Sequence, residues 1–201
     1  SDVGCAPMLR LLHLTNWYPE PAVPERTPFI VEHLRALSPF VQQQLWHVEV
    51  QPSRQGWGLQ WAHRASGERA LLLRSPLASG QVQEWLTLGL LLMLRLRLWR
   101  SRWDLVVVHI AWPLLRFPHL VRLLFGRRLL LIEHWSAYHH SFQLPPGSPA
   151  LRRLQTMFAA SIPVVAVSQA LAADLRAFSG RPDLPLAIIP NAVDTAVSYT
   201  H

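Results

Sequence analysis

The chain has no lysine and a single cysteine. All 19 of its basic residues are arginine, so its cations are fixed and suited to forked contacts with carboxylates or phosphates. One cysteine, Cys5, excludes an internal disulfide and any multi-cysteine metal centre, and it fits a reducing, cytoplasmic compartment. No stretch approaches 18 uncharged apolar residues, the length that would be read as a membrane-spanning helix. The opening "SDVGCAPML" lacks the basic region and long apolar run of a signal peptide. Internal repeats and low-complexity tracts are lacking too.

What is present is a core. Half of the 201 residues are hydrophobic, enough for one large folded domain. The net charge of +7 permits nucleic-acid binding. No helix-turn-helix, RNA-binding or zinc signature accompanies that charge, so nucleic acid is not an expected partner.

Apolar periodicity divides the chain into alternating elements. "LRLLHLT" at 9–15 reads as a short buried strand, followed by "NWYPEPAVPERTP", whose four prolines exclude a helix. Apolar residues at 29, 30, 34, 37 and 40 fit one face of a helix. "LWHVEVQP" and "ALLLRS" read as strands, with residues 53–69 between them irregular. Residues 81–103 read as a helix and "DLVVVHI" at 104–110 as a buried parallel strand. "AWPLLRFPHLVRLLFG" reads as a helix with an irregular start, and "RRLLLIEHW" as the next strand. A helix near 150–161, a strand "PVVAVS", a helix "QALAADLRAF" and a strand "LAIIPN" complete the pattern. Strands alternating with helices predict an α/β domain, a Rossmann-like parallel sheet with helices on both faces.

In such a sheet, ligands bind beyond the carboxyl ends of the strands. Unusual polar and aromatic residues gather at those ends: Thr15, Asn16, Trp17 and Tyr18; His109; Glu133, His134, Trp135 and Ser136; Ser168; Asn191 and Asp194. The densest group is "EHWSAYHH", residues 133–140. A charge directly after "LLLI" is costly to bury unless paired. A histidine and an aromatic at a strand end can hydrogen-bond a ligand and stack on it. His139 and His140 are read as loop residues, and no further ligand is spaced to complete a metal site with His134. Ser168 reads as a helix N-cap, and turn chemistry accounts for Asn191 and Asp194 without a ligand. The candidate substrate-binding residues are Asn16, Trp17, Tyr18, His109, Glu133, His134, Trp135, Ser168 and Asn191. No catalytic residue is assigned.

The stretches "LLHLTNWYP", "PFIVEHLRAL", "DLVVVHIAWPL", "LLLIEHWSAYH", "VVAVSQALAADL" and "IIPNAVDT" occur in an order that resembles the N-terminal half of retaining glycosyltransferases of family 4, which have the GT-B fold. The resemblance covers about residues 9–195. It implies two Rossmann-like domains around a cleft. The N-terminal one mostly binds the acceptor. The C-terminal one holds the nucleotide-sugar and carries a pair of glutamates. "PNAVDT" would lie where the first domain hands over to the second.

On this resemblance, residues 8–195 are expected to form the N-terminal domain, with 1–7 and 196–201 as tails and the C-terminal donor domain absent. Such a half is expected to be inactive alone. The partners implied for the full-length enzyme are a nucleotide-sugar donor and a glycan or lipid-linked acceptor. No metal and no cofactor are implied. Two departures stand out. Many relatives have paired glycines in the loop after the first strand, and this chain has none between residues 15 and 29. Many also have a second histidine two places beyond the one matching His109, where this chain has Ala111. The alternative reading is a non-catalytic binding or partner-interaction module. "LLLMLRLRLWRSRW" at 90–103 raises peripheral contact with the inner membrane face, against the plainer reading of a helix packed on the sheet with its arginines reaching solvent.

Overall fold

The structure, a computed structural model, describes residues 8–18, 28–64, 67–139, 142 and 144–192. Among these, the elements run β1 (Arg10–Thr15), α1 (Pro28–Leu37), β2 (Gln42–Pro52), β3 (Gly58–His63), β4 (Arg69–Ser75), α2 (Gly80–Arg97), β5 (Leu105–His109), α3 (Pro118–Phe125), β6 (Leu129–Glu133), α4 (Pro149–Gln155), β7 (Val164–Ala166), α5 (Gln169–Ser179) and β8 (Leu186–Ile188). The strands form one sheet in the order β3-β4-β2-β1-β5-β6-β7-β8. Every neighbouring pair is parallel except β3 with β4. The fold is the expected Rossmann-like α/β sheet.

The central strands are buried on both faces, so they read as apolar runs rather than alternations. Leu12 and Leu14 of β1 point to one face with Val106 and Val108 of β5 and Leu129 and Leu131 of β6. That face packs on residues from α2, α3, α4 and α5, including Leu90, Leu94, Val121, Leu154 and Leu175. Truncating a fully buried leucine such as Leu12, Leu14 or Leu131 to alanine costs about 2–5 kcal/mol. On the opposite face α1 covers the β1–β2 side, where Ile30 packs with Leu45 and Tyr18. Helices therefore lie on both faces. β1 sits between β2 and β5, which makes it the switch point of the sheet and its carboxyl end the natural mouth of a ligand crevice.

Four expectations need correction. Residues 58–63, read as irregular, form β3, an antiparallel edge strand on β4. Its apolar side chains, Leu59 and Trp61, remain exposed, so it carries no buried stripe to read. Helix α2 stops at Arg97 rather than continuing to 103. Helix α3 begins only at Pro118; residues 111–117 turn, as Pro113 requires. The helix expected near 150–161 is α4, followed by a short 3₁₀ turn at 156–158. Most of the proline-rich loop after β1, together with His140, Asp194 and both expected tails, lies outside the described residues.

Candidate functional site

The carboxyl edge of the sheet is built by register. Thr15 at the end of β1 pairs with His47 of β2 on one side and His109 of β5 on the other. His109 pairs with Ile132 of β6, one residue short of Glu133. Thr15, His109 and Glu133 are all fully buried. Strand geometry thus brings Thr15 and two of the candidate substrate-binding residues, His109 and Glu133, to one edge.

A row of imidazoles runs along this edge. His13 Nδ1 lies 3.0 Å from His109 Nε2, and His109 Nδ1 lies 3.4 Å from His134 Nε2. His134 Nδ1 lies 2.9 Å from Asn191 Oδ1. The ring planes are nearly parallel, 25° apart in the first pair and 18° in the second. Phe29 of α1 stacks on the His134 ring at 4.4 Å, and His33 of α1 meets His109 edge-on at 6.1 Å. Burial holds all of these histidines neutral: His13 is pulled down to about 3, His134 to about 4, and His109 well below its ordinary value. Both ring nitrogens of His134 are engaged within the protein, so its remaining surface for a ligand is ring carbon.

Glu133 has a different job. Its Oε1 accepts from the backbone N–H groups of His134 and Trp135, both at 3.0 Å. Its Oε2 accepts from Ala111 N at 2.9 Å and from the Tyr138 hydroxyl at 2.7 Å. The Ala111 N–H follows directly on Ile110, whose backbone turns at φ 68°, a left-handed conformation that is strained for a β-branched residue. Burial pushes the Glu133 carboxyl up while these four donors pull it down, and it pushes the Tyr138 hydroxyl well up. Glu133 is a strand-end anchor that fixes the backbone of the next two residues.

That anchoring aims Trp135. Its ring meets Trp17 at 5.0 Å and Phe142 at 5.2 Å, each edge to face, and Trp112 at 6.4 Å. Trp17 is held by a local turn in which the Thr15 hydroxyl donates to Trp17 O at 2.7 Å and accepts from Trp17 N at 3.1 Å. Trp17, Trp112 and Trp135 are half-buried, giving the edge an aromatic wall.

The remaining candidates disperse. Tyr18 is buried on the β2 side, its hydroxyl on Glu68 and the Arg64 guanidinium 5.3 Å from its ring centre. Arg64 also reaches His47 Nδ1 at 3.1 Å, which leaves the His47 proton on Nε2, facing Asn16 O at 3.3 Å and Glu49 at 3.0 Å. Asn16 is buried, with its Oδ1 unpartnered among the described residues. Ser168 caps α5, accepting from Leu171 N at 3.1 Å. His139 pairs with Asp174 at 3.0 Å, away from the row. Among the described residues no group of three or more His, Cys, Asp or Glu is placed to hold a metal ion.

Sequence reasoning missed His13, His33, His47 and Phe29. For His13 the signal was there, a histidine inside the otherwise apolar "RLLHLT". His33 and Phe29 gave none, since both fit a plain amphipathic helix.

The model of glycosyltransferase family 4 matches residues 30–197. The chain belongs to glycosyltransferase family 4. No curated protein matches it. Among solved structures, a sucrose-phosphate synthase from Thermosynechococcus elongatus matches 90% of this chain with 48% of its own length, at 14% identity and a TM-score of 0.58. An α,α-trehalose-phosphate synthase (UDP-forming) from Burkholderia vietnamiensis matches 92% of this chain with 49% of its own, at 17% identity and a TM-score of 0.51. A UDP-N-acetylglucosamine 2-epimerase from Rickettsia bellii matches 92% with 45%, at 11% identity and a TM-score of 0.52. At these identities the likeness is one of fold. The family 4 chain described here spans about half the length of each of these proteins.

Proposed function

We propose that this chain is the acceptor-side domain of a glycosyltransferase that moves a hexose from a nucleotide-sugar to an acceptor hydroxyl. Family membership supplies the reaction class. The observation that carries the acceptor side is the composition of the sheet edge. Trp17, Trp112 and Trp135 offer ring faces and edges, the chemistry that grips a sugar ring. Cradling a phosphate would need backbone N–H groups in close approach, and the stretch from Thr15 to Phe29 contains no glycine. In this reading the donor is held by a second domain, whose contacts to the leaving phosphate supply most of the rate acceleration. The present domain places the acceptor hydroxyl beneath the sugar. In this reading transfer requires both domains.

The experiment is ligand-observed NMR on the 201-residue chain with a panel of hexoses, hexose phosphates and nucleotide-sugars. Saturation transfer to hexose ring protons, lost in Trp135→Ala, is expected, with none to the nucleotide. A chain that binds nucleotide-sugars and ignores free sugars would overturn the acceptor-side assignment. A chain that binds neither would favour the non-catalytic interaction module.

One observation favours peripheral contact with an anionic lipid surface as part of the same function. No helix among the described residues is long and apolar enough to cross a membrane. Yet the outer faces of α2 and α3 are apolar: Trp85, Leu88, Leu92, Leu120, Leu123 and Leu124 line a groove of about 340 Å³. Leu123 is 79% exposed, and Leu96 and Trp99 continue the strip at 64% and 65%. Residues 85–132 hold eight arginines and one carboxylate, Asp104, and of the eight Arg116 is taken up by buried Glu84. An exposed apolar strip beside a cationic margin suits an interface of acyl chains and anionic headgroups.

A further inference from the structure

The imidazole row has a direction. A carboxamide oxygen only accepts, so the hydrogen between His134 and Asn191 sits on His134 Nδ1. A neutral His134 then has a bare Nε2, which must accept from His109 Nδ1–H. A neutral His109 in turn has a bare Nε2, which must accept from His13 Nδ1–H. The chain of donors therefore runs from His13 to Asn191, and its first member is left with a bare Nε2. That atom is the one ring nitrogen of the row without a partner among the described residues, and it is buried. A buried nitrogen lacking a partner is cheaper to leave as a lone pair than as an N–H facing nothing. The geometry at both ends of the row thus agrees on one polarity.

The consequence falls on Asn191. Its oxygen is turned inward to His134, so its NH₂ group is turned the other way, and that NH₂ makes no hydrogen bond among the described residues. Asn191 is half-buried at the carboxyl side of β8, on the sheet edge that carries the aromatic wall. His13 and His109 are fully buried, so neither can touch a ligand on that edge; they can act only through His134.

We infer that His13 and His109 are positioning residues that, through the tautomer of His134, lock the Asn191 carboxamide with its NH₂ facing the crevice, as a fixed donor to an oxygen of the bound acceptor. The sugar as ligand rests on the acceptor-side reading above; the tautomers and the amide orientation do not. His47 provides an internal contrast. Arg64 donates to its Nδ1, so His47 carries its proton on Nε2, on the same edge and at similar burial.

The test is long-range ¹H–¹⁵N correlation of the labelled 201-residue chain at neutral pH. His13, His109 and His134 are expected as Nδ1–H tautomers, the form that the free side chain favours less, and His47 as Nε2–H. Finding His109 or His134 as Nε2–H would overturn the inference, because the Asn191 amide would then have to face the other way. His109→Leu removes the donor to His134 Nε2. It is expected to shift the Asn191 side-chain NH₂ resonances and let His134 sample both tautomers. His109→Asn places an amide NH₂ where Nδ1 stood and is expected to restore the His134 tautomer. Should His109→Leu fail to fold, the wild-type tautomers alone decide.

A second arm adds D-glucose or glucose 6-phosphate. A shift of the Asn191 NH₂ signals with either sugar supports the donor role. A shift with inorganic phosphate alone identifies the phosphate rather than a hydroxyl as the oxygen recognised. The expected tautomers without any shift would uphold the positioning row and overturn its link to an acceptor sugar.

Discussion

The Nδ1 of His134 lies 2.9 Å from Asn191 Oδ1, which ties the end of β6 to the segment after β8 across 57 residues of sequence. No backbone ladder makes this link directly, since β7 lies between the two strands. The side chains bridge over it.

Breaking the tie should be measurable. Asn191→Ala leaves the His134 N–H without its partner in a half-buried place, and should lower stability by about 1–3 kcal/mol. His134→Ala should cost more, because it also uncovers Phe29, stacked on the ring at 4.4 Å. In a double-mutant cycle followed by urea unfolding, the two changes should show a coupling of about 0.5–1.5 kcal/mol. Strict additivity would mean that the bond contributes nothing in solution.

Acid should unfold this domain early. An exposed histidine in the unfolded chain takes its proton near pH 6.5, whereas in the fold His134 resists until about 4 and His13 until about 3. His109 is held well below its ordinary value by the same burial. Between these limits the unfolded state binds more protons, so stability is full above about pH 6.5 and falls on acidification. Each such histidine contributes a slope of about 1.4 kcal/mol per pH unit. Glu133 works in the opposite sense. Its carboxyl is pushed up by burial against the pull of its four donors, so in the window just above pH 4.5 the folded state gives up that proton later than the unfolded chain does. The net slope should therefore be shallower than three histidines would give. Urea midpoints measured across this range check it, and a midpoint constant from pH 7 to 5 would contradict it.

The sheet was legible in the sequence because parallel strands buried on both faces show as dense apolar runs, as in "LVVVH" and "LLLIE". The edge strand β3 was not, because its Leu59 and Trp61 are exposed and bury no periodic face. The crowding at "EHWSAYHH" was legible as chemistry but not as roles. Glu133 and Tyr138 serve each other, His139 serves Asp174, and His134 joins a row whose other members come from β1 and β5. Such a row depends on which strands become neighbours. His13 and His109 are 96 residues apart in the chain, and only register makes them partners.

Another buried polar node escaped the sequence entirely. Glu84 of α2 is 2% exposed and receives Arg116 Nε at 3.0 Å, Arg153 Nη1 at 2.6 Å and Trp112 Nε1 at 3.3 Å. It fastens α2 to α4 and to the turn after β5. Glu84→Ala should cost about 3–5 kcal/mol, since it strands two guanidinium groups without a counter-charge. In a domain of this size that is a drop of about 10 °C in Tm. Arg153→Met should cost less, because Arg153 keeps more contact with solvent and Arg116 remains to pair Glu84. Equal effects of the two substitutions would show that the ion cluster is not what joins the helices.

The outer face of α2 and α3 gives the remaining prediction. An α-helix on a protein surface normally turns polar residues outward, but α2 presents Val82, Trp85, Leu92, Met93 and Leu96 to solvent while burying Leu90, Leu91 and Leu94 inward. If this face meets a lipid surface, the chain should float with phosphatidylglycerol-containing vesicles and not with phosphatidylcholine alone. Leu123→Asp is a clean probe, because a side chain 79% exposed contributes little to folding. It should cut vesicle binding about tenfold or more without changing Tm, given about 0.8 kcal/mol per buried methylene and the cost of burying a charge. Arg100→Glu and Arg127→Glu test the cationic margin. At about 1 kcal/mol per arginine near an anionic surface, each should weaken binding at least fivefold and reduce its sensitivity to salt. Binding that follows the arginines but ignores Leu123→Asp would mean adsorption by charge alone. Self-association of the free chain abolished by Leu123→Asp, with no vesicle binding, would assign the strip to a second copy instead of a membrane.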